Sequence, residues 1–88
     1  MIRLIDTTGI NIDDYESVDI EFLDNYINKP WLTRDTRSSI IEMAQALGAE
    51  YYIPEDMEFF FNDRPTAEQF HSTVKNRYPT LSMGFNSR

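Results

Sequence analysis

The chain has 88 residues, 41% of them hydrophobic and 14% aromatic, with a net charge of −7 and no cysteine. That length makes a single domain over residues 1–88, and the apolar content is that of a folded globule rather than a disordered chain. Disulfides, thiolate zinc sites and cysteine nucleophiles are excluded. No apolar run approaches the roughly 18 residues that cross a bilayer, and Met1 to Asp6 turns polar too early for a signal peptide. The expectation is a cytoplasmic protein that does not enter a membrane.

In chain order, Ile2-Arg3-Leu4-Ile5 reads as a short strand closed by the turn-forming Asp6-Thr7-Thr8-Gly9. Residues 10–17 read as a polar loop. From about Val18 to Asn28, Ile20, Phe22, Leu23, Tyr26 and Ile27 share one helical stripe, with Ser17 or Asp19 as cap and Pro30 as stop. A second helix starts at a Thr33 cap, carries Ile40, Met43, Ala44 and Leu47 inward, and ends at Gly48, where a left-handed residue is needed. Tyr51-Tyr52-Ile53 and Met57 to Phe61 read as a hairpin, with Pro54 at the first central position of the turn. A third helix opens at Pro65, or at a Thr66/Gln69 capping box, with Ala67, Phe70, Val74 and Tyr78 inward and Tyr78-Pro79 as its end. Leu81, Met83 and Phe85 then alternate with Thr80, Ser82 and Gly84, the period of a half-buried strand.

The predicted class is α+β, in the order β-α-α-β-β-α-β. With the first two helices counted as one crossover, that order is the split βαβ pattern of ferredoxin-like folds, with helices mainly on one face. Right-handed crossovers place Ile2–Ile5 and the Phe59-Phe60-Phe61 strand centrally.

Charge is segregated along the chain. Residues 4–28 hold seven acids and no base, and residues 38–63 hold six acids and no base. Residues 29–37 sum to +2 and residues 64–88 to +3. The densest stretch runs from Asp13 to Asp24, where six of twelve residues are carboxylates. Fixed charge of this kind decides which partners approach.

Catalytic chemistry finds little support. His71, the one histidine, sits in the third helix between Glu68 and Lys75, which reads as an exposed histidine with salt-bridging neighbours. No catalytic residue is assigned. A calcium loop begun at Asp13 puts Val18 where glycine is required, so no metal ligand or cofactor is assigned either. Asp6 with Asp13 or Asp14 suits a hard cation, but Asp before Thr-Thr-Gly is ordinary turn chemistry. Glu58-Phe59-Phe60-Phe61-Asn62 lacks the basic residue and glycine of an RNA-recognition strand, and −7 repels phosphate, so direct nucleic-acid binding is disfavoured.

Two surfaces remain. Asp13, Asp14, Glu16, Glu21 and Asp24, joined by Glu50, Glu55, Asp56 and Glu58, form a carboxylate edge for a basic partner protein. In its sharpest form this is a nucleic-acid-mimicking inhibitor, of the kind a phage or plasmid encodes against a nucleic-acid-binding enzyme. Trp31, Tyr51, Tyr52 and Phe60 are the candidate apolar interface. Three helices cover one sheet face and leave Phe60 and a tyrosine on the other, where either the first helix or the C-terminal tail folds back over them or they stay open. An open face points instead to a homodimer, or to a regulatory subunit acting through that face or a small ligand.

Overall fold

The computed structural model describes residues 3–4, 14–21 and 30–86. Strand β1 is Arg3–Leu4 and β2 is Glu16–Glu21. Helix α1 is Pro30–Ala46, β3 is Tyr51–Ile53, β4 is Glu58–Phe61, helix α2 is Arg64–Arg77 and β5 is Ser82–Asn86. The sheet order is β1-β3-β4-β2-β5. Strands β3, β4, β2 and β5 form a four-stranded antiparallel sheet, and the two-residue β1 adds to its edge in parallel with β3. These elements make one small α+β domain.

Residues 16–21 correct the expected loop and helix. Ser17, Val18 and Ile20 are buried, and Asp19 and Glu21 alternate with Val18 and Ile20 on the opposite face. Val and Ile two residues apart suit a pleated strand. The helical stripe depended on Phe22, Leu23, Tyr26 and Ile27, which lie outside the described residues. Pairing decides the outcome: β2 binds β4 on one side and β5 on the other, so its backbone is satisfied in the sheet. The central strands are therefore β2 and β4. Strand β1, expected at the centre, is at the edge.

Helix α1 begins three residues before the expected Thr33 cap, because Pro30 opens it; proline has the required φ, and its missing N–H is not needed in the first turn. The C-terminus is as expected. Gly48 adopts φ +90°, its N–H donates to the Gln45 carbonyl (3.1 Å), and the Ala49 N–H donates to the Ala44 carbonyl (2.9 Å). This is a Schellman cap, which turns the chain toward β3. Helix α2 is capped by Asp63, whose Oδ1 accepts from the Thr66 N–H at 2.8 Å, so neither Pro65 nor Thr66 is the cap. Its C-terminal turn closes with the Tyr78 N–H donating to the Val74 carbonyl (2.7 Å).

The core lies on the helix-covered face. Val18, Ile20, Phe59 and Phe61 from the sheet meet Ile40 and Ala44 of α1 and Ala67, Phe70 and Val74 of α2. Phe59 stacks on Tyr52 (4.7 Å between centroids) and tilts against Phe70 (5.2 Å), which also meets Phe61 at 5.2 Å. Each fully buried phenylalanine contributes about 1.5–3 kcal/mol by leaving water, a large share for a domain this small.

The other face overturns a second expectation. Phe60 points away from the helices, yet it has 0% exposure and lies outside the main cluster. In register it sits between Ser17 of β2 and Tyr51 of β3. Tyr52 lies on the helix-covered face with Phe59 and is also buried, with its hydroxyl donating to the Met57 sulfur at 3.3 Å. Neither residue is available as an exposed apolar interface in this chain. Trp31 is 60% exposed and Tyr51 is half-buried.

Candidate functional site: a carboxylate-lined groove

A groove of about 480 Å³ opens where β2 and β4 meet the 54–57 turn. Asp19, Glu21, Glu55, Asp56 and Glu58 line it, together with Arg37 and Asn86. The first two carboxylates belong to one acidic stretch of the sequence and the last three to the other, so the fold joins the two blocks here.

The turn is held on three sides. The Met57 N–H donates to the Pro54 carbonyl (3.2 Å), which makes Pro54 the first residue of the turn and Glu55 and Asp56 its exposed centre. This shifts the expected proline position by one. Met57 is buried with φ 50°, and its carbonyl accepts from the Ile20 N–H at 3.1 Å. A left-handed conformation is uncommon for a non-glycine residue, and here it buries the side chain and points the turn at β2. From α1, Arg37 Nη2 donates to the Pro54 carbonyl at 3.3 Å. The one basic residue among the lining residues thus has a backbone partner.

Strand pairing sets Asp19 directly opposite Glu58. Like charges at that position repel across an antiparallel pair, and the neighbours offset the repulsion. The buried Ser17 hydroxyl donates to Glu58 Oε2 at 2.6 Å. Asn86 Nδ2 donates to Glu58 Oε2 and to Asp19 Oδ1, both at 3.3 Å. On the far side of Asp19, Gly84 supplies room: a Cβ there would collide with Asp19 Oδ1. Glycine at 84 is therefore a requirement of close approach. Among the described residues, Asp19, Glu21, Glu55 and Asp56 form no salt bridge.

Of the carboxylates expected to act together, Glu21, Glu55, Asp56 and Glu58 meet in the groove. Asp14, Glu16 and Glu50 do not. Glu16 and Glu21 are at opposite ends of β2, about 17 Å apart at about 3.4 Å per residue, and on opposite faces. Glu50 accepts from Asn62 Nδ2 (2.9 Å) at the far end of the sheet. There the rings of Tyr15 and Tyr51 pack edge to face at 5.2 Å. The hydrogen bond with Tyr51, then burial, then the charges of Glu50 and Asp14 hold the Tyr15 phenol above its ordinary 10.0. Asp13 and Asp24, like Asp6, lie outside the described residues.

In the sequence Asp19 is one of the six carboxylates of residues 13–24 and a helix-cap candidate but not part of the expected edge, and nothing marks Asn86 or Gly84 as functional. The usable signal was the two-residue period of Ser17, Asp19 and Glu21, which places them on one strand face.

His71 lies outside the groove, half-buried with its ring 6.2 Å from that of Phe85. Its expected salt-bridging neighbours are engaged elsewhere: Glu68 pairs with Arg64 at 2.7 Å, and Lys75 Nζ donates to the Leu81 carbonyl at 3.3 Å. Among the described residues no group of three or more His, Cys, Asp and Glu is arranged to hold a metal ion. Among the described residues no helix is long and apolar enough to cross a membrane. Comparisons with protein-family models, with curated proteins and with solved structures found no match.

Proposed function

We propose that this chain is a small, non-enzymatic binding protein that takes a basic segment of a partner protein into the carboxylate-lined groove. One observation carries the reading: the 54–57 turn and the start of β4 bring Glu55, Asp56 and Glu58 to the same groove as Asp19 and Glu21. Concentrated carboxylates steer cationic groups by long-range attraction and pair with lysine or arginine on contact. Ser17 and Asn86 keep Glu58 and Asp19 in place, so part of the ordering cost is met before the partner arrives.

The connectivity β2-α1-β3-β4-α2-β5, with β4 between β3 and β2, supports a ferredoxin-like arrangement in which β2 takes the role expected of Ile2–Ile5. A lysine- and arginine-rich nucleic-acid-binding enzyme is the partner class best matched to the charge, and inhibition by mimicry is the form such binding would take. The rival dimeric subunit relied on an open apolar face, and burial of Phe60 and Tyr52 removes two of its four residues.

The test is capture of basic proteins from a lysate across a salt series, comparing the wild type with Asp19→Asn/Glu21→Gln/Glu55→Gln/Asp56→Asn. Capture should fall steeply between about 50 and 200 mM salt, as the screening length shortens toward 8 Å, and the variant should lose it while keeping its circular dichroism spectrum. Capture unchanged in the folded variant would exclude the groove. Added duplex DNA should compete when the captured partner is a nucleic-acid-binding enzyme.

A further inference from the structure

The groove runs to one edge of the sheet, and among the described residues that edge carries none of the usual guards. Strand β5 is the outermost strand on its side among the described strands, paired to β2 alone. Its sequence, Ser82-Met83-Gly84-Phe85-Asn86, has no charge and no proline, the usual devices that stop a sheet edge from accepting another strand. The opposite edge is the two-residue β1.

Gly84 gives this edge a particular chemistry. It is opposite Asp19 in register, and without a side chain it lets the Asp19 carboxylate lean over the β5 backbone. A strand laid along β5 would therefore meet a carboxylate on its groove-side residues. On the other face its residues would meet the half-buried Met83 and Phe85.

We infer that the basic segment binds by strand addition to β5, as an extended stretch in which lysine or arginine alternates with apolar residues. This rests on the groove reading above and specifies its mode. Main-chain bonds to β5 supply affinity and alternate side chains supply specificity. Charge complementarity selects the occupant. A second copy of this chain carries −7 against −7, whereas a basic segment is attracted.

The experiment titrates the intact protein with three acetylated, amidated octapeptides: Lys-Val repeated four times, four lysines followed by four valines, and Glu-Val repeated four times. Amide hydrogen exchange along β5 and fluorescence anisotropy are read in parallel. The inference expects the alternating basic peptide to slow the outward-facing amides of Ser82–Asn86 by about tenfold or more. It expects the block peptide and the acidic peptide to leave them unchanged. Asp19→Asn should weaken the alternating peptide by about threefold, the scale of one partly exposed ion pair. If both basic peptides bind equally and β5 exchange does not change, strand addition is wrong while the groove reading survives. If neither basic peptide binds, both readings fall. If the protein alone sediments as a dimer with β5 already protected, the occupant of the edge is a second copy and the inference is overturned.

Discussion

Strand β2 has two faces made from alternate residues of a single hexapeptide, and they do opposite things. Val18 and Ile20 enter the aromatic core beneath the helices, a mainly apolar cluster in which close packing decides the energy. Ser17, Asp19 and Glu21 turn to the other face, where Ser17 and Asn86 hold a like-charged pair, Asp19 and Glu58, in register. This small domain thus uses one sheet face for stability and tolerates electrostatic repulsion on the other. Beside that polar patch, Phe60 adds a second, smaller buried site.

The most severe way to test this division is Phe60→Asp. An 88-residue domain has roughly 4–13 kcal/mol of stability at 0.05–0.15 per residue. Removing the ring and burying an unpaired carboxylate should cost at least about 4 kcal/mol, so the variant should be strongly destabilised in urea unfolding followed by circular dichroism. A folded, stable Phe60→Asp protein would show that the second face is open after all. Next in size is Phe59→Ala or Phe70→Ala on the helix-covered face, each expected to cost about 3–5 kcal/mol in urea unfolding. Opposite in sign is Asp19→Asn. Relieving the Asp19–Glu58 repulsion should raise stability by up to about 0.5 kcal/mol at low salt, an increment that shrinks as salt is added, while partner capture weakens. A loss of stability there would mean that the charge of Asp19 strengthens its bond from Asn86 by more than the repulsion costs.

A further effect belongs to neither face and serves as a control. The Thr66 side-chain and backbone hydrogen bonds hold the Asp63 carboxyl below its ordinary 3.8. A depressed carboxylate contributes stability that is present above the unfolded-state value and is lost as pH falls through the folded-state value. Asp63→Ala should therefore lower the melting temperature at neutral pH, with the difference from wild type closing in acid below about pH 3.8. The groove and its binding should be untouched.

Much of the fold was legible because it rests on local chemistry. Gly48 past an apolar stripe, the Ala67/Phe70/Val74 stripe and the alternation at Met83 and Phe85 all appear as read, and the hairpin after Ile53 appears with Pro54 one place earlier in its turn. The reading failed at residues 16–21, where Val18-Asp19-Ile20-Glu21 fits a strand's two-residue period as well as a helical turn. Only the presence of β4 and β5 on either side selects the strand. The cap of α2 also moved, because Asp63, one residue before the helix, offered a better acceptor than the Thr66 hydroxyl.

What can be read along the chain alone is its composition: two acid-rich blocks free of bases, an aromatic run at residues 59–61, and no cysteine. The tertiary structure decided which of those charges share a surface. Asp19 and Glu21 meet Glu55, Asp56 and Glu58 because antiparallel pairing sets β2 beside β4 and the Met57 carbonyl ties the turn to Ile20. Pairing between residues some forty positions apart leaves no periodic trace in the chain. It arises from long-range hydrogen bonding and burial, and those decided both the groove and the fate of Phe60.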